Sequence, residues 1–312
     1  PSDEGTTFYG YDANGQLTSV SLPGGRLIRY AYDAVGNRTS VVDDGVTTLY
    51  ATGVLNEYVL VGNTVYTYDA DGNLVSQADA NGTTAYSFND ENRLVGVTGA
   101  GLAAAYTYDP LGHRNSATVN GQRTDYLTDP VGMGYVAAEY TGAGSLVARY
   151  TRGIGLTSRI DAMGAAAYYD FDALGNTVGL TNAAGAYVNR YRFLPFGETT
   201  TVLAGLPNPF TFVGQFGVME DGSGTFHMRL RNYDPILGRF LSNDPLGLAG
   251  GSGAEVPIWS ASRKSVTDDR RKASPRMSAC TSAASRVSKR TRAWAMASSL
   301  SRFSCRMRRA SS

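Results

Sequence analysis

Two Asp-Pro pairs lie in one short stretch of the chain, Arg229 to Gly251, which reads RLRNYDPILGRFLSNDPLGLAGG. Paired carboxylic acids that share a proton, such as Asp234 and Asp244 could supply, can act as base and acid toward one attacking water. An adjacent arginine would keep one of the two acids ionised. Asp-Pro and glycine also form rigid turns, which an Arg–Asp pair can fix in place. The residues alone therefore leave both hydrolytic chemistry and a structural role open.

The residues before this stretch repeat a short motif that begins with a tyrosine. Clear copies begin at Tyr9, Tyr30, Tyr66, Tyr86 and Tyr106, and weaker copies begin at Tyr50, Tyr126, Tyr169 and Tyr191. From the first of these tyrosines to Tyr126 the spacings are 21, 20, 16, 20, 20 and 20 residues. A fixed period of this length indicates repeated supersecondary units.

Each repeat predicts a β-hairpin. Tyr-x-Tyr or Tyr-x-Phe puts two rings on one face of a strand, and the Asp-x-x-Gly that follows favours a tight turn closed by a bulge. A second turn follows about ten residues later, at Pro23-Gly24-Gly25, Asp44-Gly45, Asn81-Gly82, Asn120-Gly121 and Gly185. We expect a single curved antiparallel sheet without a thick hydrophobic core, almost no helix, and tyrosine pairs that stack across neighbouring strands.

The motif resembles the YD repeat of the RHS/YD-repeat family, in which a Tyr-Asp pair is followed by glycine. The matching residues are Tyr11, Asp12 and Gly15; Tyr32, Asp33 and Gly36; Tyr68, Asp69 and Gly72; and Tyr108, Asp109 and Gly112. RNYDPILGRFLSNDPLGLAGG resembles the conserved RHS-associated core, and FTFVGQFGVMEDGSGTFHMRLRNYDP resembles the sequence that leads into it. The resemblance covers residues 8–251 and is highly specific over the core.

The resemblance implies a fold and an activity. In the family, the repeats wind into a hollow β shell that encloses a variable C-terminal polypeptide, commonly a toxin, and the core plugs the shell. In many members the core is also an aspartyl autoprotease that releases the C-terminal piece with an arginine and two aspartates. By motif position, Arg231 and Asp244 correspond to the arginine and the first aspartate, and Asp234 is a neighbour. Beyond such self-cleavage, no small-molecule enzyme is indicated.

The sequence departs from the family pattern after Gly251. The family continues with an aromatic, Asn-rich stretch that ends in a second Asp-Pro-x-Gly, the source of the second carboxylate and of the cleavage site. Here Asp268 and Asp269 lie at roughly the right distance, but neither is followed by proline or glycine. We therefore expect the self-cleaving site to be incomplete.

The composition changes at the same point. Residues 1–251 carry 14 arginines, no lysine and 24 acidic residues, a net charge of −10, whereas residues 252–312 carry 14 basic and 3 acidic residues, a net charge of +11. The basic tail has three interpretations: a true effector with affinity for nucleic acid or an anionic membrane, a disordered tail, or out-of-frame translation. The abrupt loss of the family motif favours the third.

These observations predict an all-β chain with an irregular or partly helical basic tail. The predicted domains are a repeat array over 1–205, the RHS-associated core over 206–251 and the variable tail over 252–312. No cofactor or metal site is expected. The turn at Asp69–Asn73 is explained by the repeat rather than by a calcium loop, and His113 and His227 have no partners for a nucleophilic triad.

We expect a fragment of a secreted or cell-surface bacterial toxin shell, without a signal peptide or membrane span in this chain. Its partners would be its own C-terminal cargo, the remaining shell repeats, and secretion-apparatus or immunity proteins; nucleic acid or membrane would be partners only if the tail is genuine. The alternative is an extracellular adhesive module that binds carbohydrate or protein through exposed tyrosines.

Overall fold

The computed structural model of the protein describes residues 5–130 and 134–245, which belong to one compact unit. Within them the chain is built from strands, and its one helical element is a 3-10 turn at Gly214–Phe216. The larger sheet contains β1 (Phe8–Tyr11), β2 (Leu17–Ser21), β3 (Leu27–Tyr32), β4 (Arg38–Asp43), β5 (Val46–Thr52), β6 (Tyr58–Val61), β7 (Thr64–Tyr68), β8 (Leu74–Asp79), β9 (Gly82–Phe88), β10 (Leu94–Gly99), β11 (Leu102–Tyr108), β12 (Arg114–Val119), β13 (Gln122–Thr128), β14 (Val136–Thr141), β15 (Leu146–Arg152), β16 (Leu156–Asp161), β17 (Ala166–Phe171), β18 (Thr177–Asn182), β19 (Tyr187–Phe193) and β20 (Thr199–Ala204). A smaller sheet contains β21 (Met219–Glu220), β22 (Phe226–Met228), β23 (Arg231–Asp234) and β24 (Arg239–Phe240).

The strands pair antiparallel with their neighbours in the chain. Every strand from β1 to β20 pairs with the next in one 20-stranded sheet, and β21 to β24 pair in the same consecutive way. The all-β antiparallel hairpin sheet predicted from the repeats is confirmed. The predicted basic tail over 252–312 lies outside the described residues.

The Asp-x-x-Gly turn closes each repeat as the sequence indicates. In the second copy, the Asp33 carboxylate accepts hydrogen bonds from the backbone N–H groups of Val35 (3.0 Å) and Asn37 (2.8 Å). Gly36 adopts a φ of +99°, a conformation that glycine takes without steric cost. The strand register shifts between Ala31 and Tyr32, which is the expected bulge. The same carboxylate capping recurs at Asp12, Asp69, Asp109 and Asp172.

The opposite ends of the strands are joined by the second set of turns. At Asp44-Gly45 both residues have positive φ, 48° and 87°, and Asn120-Gly121 is similar, at 48° and 81°. Two consecutive positive φ values match the right-handed twist of a two-residue hairpin. The sheet therefore has a YD-turn rim at one end of its strands and a second rim at the other.

The first tyrosine of most motifs is buried on one face of the sheet, here called the tyrosine face. Tyr66, Tyr86 and Tyr106 are all buried there. They occupy every second strand, roughly 9–10 Å apart by strand spacing, so these three do not form the expected stacks with one another. One cross-strand tyrosine pair does form, between Tyr50 on β5 and Tyr58 on β6, whose ring centres lie 5.1 Å apart. Buried leucines fill the strands between the three tyrosines, Leu74 on β8 and Leu94 on β10. The ladder therefore alternates tyrosine and leucine.

The second tyrosine of the motif ties one repeat to the previous one. The hydroxyl of Tyr32 donates to the carbonyl of Leu17 at 2.9 Å, and that of Tyr108 donates to the carbonyl of Leu94 at 2.6 Å. Each accepting residue lies two positions after the positive-φ residue of the preceding YD turn. The two rings of one motif thus have separate roles, because one fills the core and the other links the repeats.

The large sheet curls back on itself. The ring of Tyr30 on β3 lies 5.4 Å from that of Phe196, in the turn between β19 and β20. In a flat sheet, sixteen strand spacings would separate β3 from β19 by about 75 Å. The contact therefore requires strong curvature toward the tyrosine face, as predicted for a curved sheet.

Residues 206–245, here called the covering segment, lie across the tyrosine face. Leu237 and Leu241 pack in one hydrophobic cluster with Tyr66, Tyr86 and Tyr106. In a second cluster, Phe210 and Met219 pack against other tyrosines of the array, Tyr150, Tyr169 and Tyr191. The hydrophobic core is therefore the layer between the sheet and the covering segment.

Candidate functional site

The covering segment is fastened to the YD-turn rim by hydrogen bonds to the turns themselves. Arg239 donates from Nη2 to Oδ1 of Asn37 at 2.6 Å and from Nη1 to the backbone carbonyl of Asn56. Its guanidinium also lies 3.6 Å from the ring centre of Tyr58, a cation–π contact. One arginine therefore joins the turns of two successive repeats.

The same rim is bound again much later in the array. The backbone N–H of Val213 donates to Oδ1 of Asn176 at 2.9 Å, and that of Gln215 donates to the carbonyl of Gly175 at 3.1 Å. Asn176, like Asn37, directly follows the glycine of its YD turn. The covering segment thus contacts the same turn position at two distant repeats.

A buried charge pair anchors the centre of the covering segment. Arg114 on β12 and Asp221 are 1% and 0% exposed at their side chains, and Nη1 lies 3.4 Å from Oδ2. Oδ1 of Asp221 accepts a bond of 2.6 Å from the hydroxyl of Ser223, and Nδ2 of Asn232 donates to Oδ2. Such a pair favours folding only when its remaining polar atoms are satisfied; both carboxylate oxygens of Asp221 are paired, whereas Nε of Arg114 has no hydrogen-bond partner among the described residues.

His227 lies beside this pair and is buried, and its Nδ1 forms no hydrogen bond with the described residues. Burial, and next the nearby charge of Arg114, lower the pKa of His227 well below its usual range, so the ring is neutral. His113 has a different role, because its Nδ1 lies 3.1 Å from Oδ2 of Asp109. There it takes the place of the asparagine that follows the turn glycine in other repeats. Both histidines have structural contacts.

Arg231 and Asp244, the residues matched to the family's arginine and first aspartate, form an ion pair. Nη2 lies 3.1 Å from Oδ2, and both side chains are partly buried. The guanidinium of Arg231 also lies 3.7 Å from the ring centre of Phe240. Burial lowers the pKa of Arg231, and the charge of Asp244 opposes that shift. The pair brings a cation and a carboxylate together at the end of the described chain.

Asp234 is not part of that pair. It lies three residues after Arg231 in β23, so the alternation of side chains along a strand directs the two to opposite faces. Oδ1 of Asp234 accepts the backbone N–H of Ile236 (2.7 Å) and of Leu237 (3.1 Å), which caps the turn before β24. Burial raises the pKa of Asp234, while these backbone bonds oppose the rise. The structure thus separates the two aspartates that the sequence suggested as a pair.

Two polar cavities remain between the sheet and the covering segment, and both reach Gly224. The first, of about 390 Å³, is lined among others by Asn189, Tyr191 and Glu220. The second, of about 360 Å³, is lined among others by Tyr66, Tyr86 and Asp234. Both cavities are partly open to solvent, and each could hold part of a ligand.

Arg38 and Arg114 were not predicted as site residues, although their positions within the repeat indicate a special role. Both stand two residues after the turn glycine, where other repeats have the buried Leu17 and Leu74. Arg38 donates to the carbonyls of Leu237 and, at 3.2 Å, Ile236 in the covering segment. A charged residue in a position otherwise filled by leucine indicates a buried partner from elsewhere in the chain.

Among the described residues, no helix is long and apolar enough to cross a membrane. The same residues contain no group of three histidine, cysteine or acidic side chains placed to hold a metal ion.

Comparison with known proteins places the chain in a family. Double-stranded DNA deaminase toxin A of Burkholderia cenocepacia is 29% identical over 90 residues, which cover 27% of this chain and 6% of the toxin. A crystal structure of TcdB2-TccC3-Cdc42 is 17% identical, covers 81% of this chain and 18% of its own, and has a TM-score of 0.43. The structure of the Photorhabdus luminescens Tc holotoxin pore is 15% identical, covers 80% of this chain and 17% of its own, and has a TM-score of 0.40.

This chain therefore spans less than a fifth of the length of each of these proteins. The family model of the teneurin YD-shell matches residues 1–248, which is most of the chain and includes both the repeats and the covering segment. The resemblance to YD-repeat shell proteins seen in the sequence is confirmed, and the chain belongs to the teneurin YD-shell family.

Proposed function

We propose that this chain is part of a β shell whose tyrosine face encloses a polypeptide that lies C-terminal to the covering segment. The observation that carries the proposal is the fastening of the covering segment to YD turns of both early and late repeats, at Asn37 and Asn176. Such a segment closes one rim of a curved sheet and leaves polar space on the concave side. Its role is to enclose a chain rather than to turn over a small substrate.

The free edges of the sheet support a larger assembly. In β1, Phe8 and Tyr9 are exposed, and in β20 all six residues are exposed. A strand edge with unpaired backbone groups and exposed rings is a site for further strand pairing. Further repeats of the same protein are the partners proposed at β1. The toxin relative supports placing the assembly in a secreted or cell-surface toxin, with secretion-apparatus and immunity proteins as further partners.

Enclosure is tested by limited trypsin digestion of the full-length gene product, after DNA sequencing across codons 245–312 has established that residues 252–312 are in frame. Residues 252–312 carry 14 basic residues and are therefore rich in trypsin sites. We expect the native protein to protect this segment, and Arg239→Ala, which removes the bonds to two YD turns, to speed its cleavage. Arg29→Ala on β3 is the control, because it removes an exposed arginine outside the rim contacts. Equal cleavage rates in native and unfolded protein would contradict enclosure.

The ion pair of Arg231 and Asp244 favours a second, narrower proposal, that the covering segment holds an incomplete aspartyl self-cleaving site. The pair supplies one carboxylate beside a cation, and Asp234 faces away from it. Asp234, the other aspartate considered for this site, lies on the opposite face of β23, so it does not protonate the leaving amine while Asp244 activates water. We expect an unchanged intact mass after long incubation at pH 4 to 7. A cut that disappears in Asp244→Asn would overturn this proposal.

A further inference from the structure

Arg152, at the end of β15, is a buried cation without a counterion among the described residues. Its Nε, Nη1 and Nη2 are buried and have no hydrogen-bond partner there. The guanidinium packs against aromatic rings, 4.2 Å from the ring centre of Tyr135 and 5.8 Å from that of Phe210. Burial lowers the pKa of Arg152. A guanidinium carries five N–H donors, and buried charges are normally paired, so an acceptor with negative charge is missing here.

The repeat shows why this arginine is unusual. Arg152 lies two residues after the buried Tyr150, a position that the second tyrosine of the motif, such as Tyr108, takes in other repeats. The hydroxyl of Tyr108 donates to the preceding repeat, whereas the guanidinium of Arg152 donates to none of the described residues. An unpaired buried cation in place of a linking tyrosine is costly for the fold alone. The exchange therefore indicates a ligand rather than packing.

A small cavity beside Arg152 collects two further unpaired nitrogens. The cavity, of about 30 Å³, is lined among others by Arg114, Tyr135, Gly217 and His227. Arg114 and His227 are 2% and 8% exposed, and Nε of the first and Nδ1 of the second have no hydrogen-bond partner among the described residues. A β-carbon on Gly217 would lie 3.4 Å from Nη2 of Arg152, so the guanidinium lies directly behind the cavity wall. Unpaired nitrogens from β12, β15 and β22 thus surround one small space.

The wall of this cavity is basic. His113 and Arg229 also line it, and no acid is among the described residues that do so. Asp221 balances the charge of Arg114, which leaves the charge of the unpaired guanidinium behind the wall. The neutral ring of His227 is a hydrogen-bond donor when Nδ1 carries its proton. Donors and uncompensated positive charge together favour an anion, because charge-assisted hydrogen bonds are the strong ones.

The volume of the cavity limits the size of that anion. A buried water molecule needs about 10–15 Å³, so a cavity of about 30 Å³ holds roughly two groups of that size. We propose that the cavity binds one small monovalent anion, of the size of chloride or formate, through Arg114, Arg152 and His227. The ion joins two strands of the large sheet, β12 and β15, to β22 of the covering segment. It is a further fastening of that segment, and the inference does not depend on the enclosure of another polypeptide.

The first test compares thermal unfolding of the full chain in sodium chloride and in sodium gluconate at the same pH and ionic strength. Gluconate is the control anion, because it is too large for the cavity. An ion that binds only the folded state raises the unfolding midpoint, by about 3 °C or more at ten times its Kd. We expect this rise in chloride, and formate should reproduce it. Equal midpoints in the three salts would overturn the proposal.

The matched variants are Arg152→Met and Arg149→Met, on the same strand. The first removes the unpaired charge and keeps an unbranched side chain, and the second removes an exposed arginine outside the cavity. We expect Arg152→Met to lose at least two thirds of the rise in midpoint between gluconate and chloride, and Arg149→Met to retain it. A full rise in Arg152→Met would refute the site.

A second measurement leaves the chain unaltered and reports where the ion acts. Met219 and His227 pair across the covering segment's sheet and both line the cavity. Amide hydrogen exchange at these two residues should be at least fivefold slower in chloride than in gluconate. Ile28 on β3, which is buried away from the cavity lining, should change less than twofold. Equal slowing at all three residues would show a general salt effect and contradict the site.

Discussion

The first hairpin and the central repeats carry the same motif in different surroundings. Tyr9 on β1 is 50% exposed, whereas Tyr106 on β11, at the same motif position, is 2% exposed. The YD turns of both are closed by the same kind of bond: Asp12 accepts the backbone N–H of Gln16 at 2.8 Å, and Asp109 accepts that of His113 at 2.8 Å. The motif therefore determines the turn locally, and burial depends on what a distant part of the chain lays over it.

The comparison separates two sources of stability. A turn cap and a hairpin pairing are complete within about twenty residues, so each repeat can form them alone. The tyrosine face gains its burial from neighbouring strands and from the covering segment, more than a hundred residues later for Tyr106, whose hydroxyl donates to the carbonyl of Asp221 at 3.2 Å. We therefore expect substitutions in the central repeats to cost far more than matched substitutions near β1.

The largest difference is expected between two ion pairs. Arg114→Ala leaves the carboxylate of Asp221 buried without its cation and should lower the free energy of unfolding by about 3–5 kcal/mol. Arg26→Ala breaks the exposed pair of Arg26 and Asp43, near the first hairpin, and should cost below about 1 kcal/mol. Urea denaturation followed by circular dichroism measures both. Similar losses for the two variants would remove the distinction between the regions.

A smaller but still large difference is expected between the two tyrosines. Tyr106→Ala opens a cavity between the sheet and the covering segment and should cost about 3 kcal/mol, near the lower end for loss of a buried aromatic ring. Tyr9→Ala removes a half-exposed ring and should cost about 1 kcal/mol or less. The same denaturation experiment measures both losses in the free energy of unfolding. A loss in Tyr9→Ala as large as that in Tyr106→Ala would show that β1 is covered in solution.

The smallest effect concerns the hydroxyl that links neighbouring repeats. Tyr108→Phe removes the donor to the carbonyl of Leu94, a bond of 2.6 Å, and an acceptor of Nη2 of Arg114 at 3.2 Å, and should lower the free energy of unfolding by about 1–2 kcal/mol. Tyr9→Phe removes an exposed hydroxyl and should be neutral within a few tenths of a kcal/mol. Amide hydrogen exchange at Leu94 and its neighbours offers a local readout. Unchanged exchange in Tyr108→Phe would count against the link.

The local part of the fold could be predicted from the sequence because the same hairpin motif recurs many times. Asp33, Gly36 and the Tyr-x-Tyr spacing each have a short-range physical meaning, and the structure confirms the hairpins and turns that they predict. Tyr50 and Tyr58 form a tyrosine pair across neighbouring strands, as predicted. For Tyr66, Tyr86 and Tyr106 the prediction of stacking was wrong, because one motif spans two strands and the rings are too far apart. The leucine that separates the rings, such as Leu74, follows the turn glycine at a fixed distance and could have corrected the expectation.

The site was less predictable because its contacts join residues far apart in the chain. Asp221 and Arg114 are 107 residues apart, and no local pattern links them. The family resemblance matched Arg231 and Asp244 to the arginine and first aspartate of the self-cleaving site; the two form an ion pair, and their role in catalysis stays a prediction. The direction in which Asp234 points depends on where β23 begins, which a turn-rich sequence does not define.

The two arginines that replace leucine in the repeat array have a consequence for how the protein can change its length. Arg38 begins β4 and Arg114 begins β12, and each must reach a fixed point of the same covering segment. Inserting one extra hairpin between them would move them apart by roughly 10 Å and leave one buried cation without its acceptor. An extra hairpin before Tyr9 would disturb neither. The two contacts therefore fix the number of repeats beneath the covering segment, whereas a hairpin added before Tyr9 would leave both contacts in place.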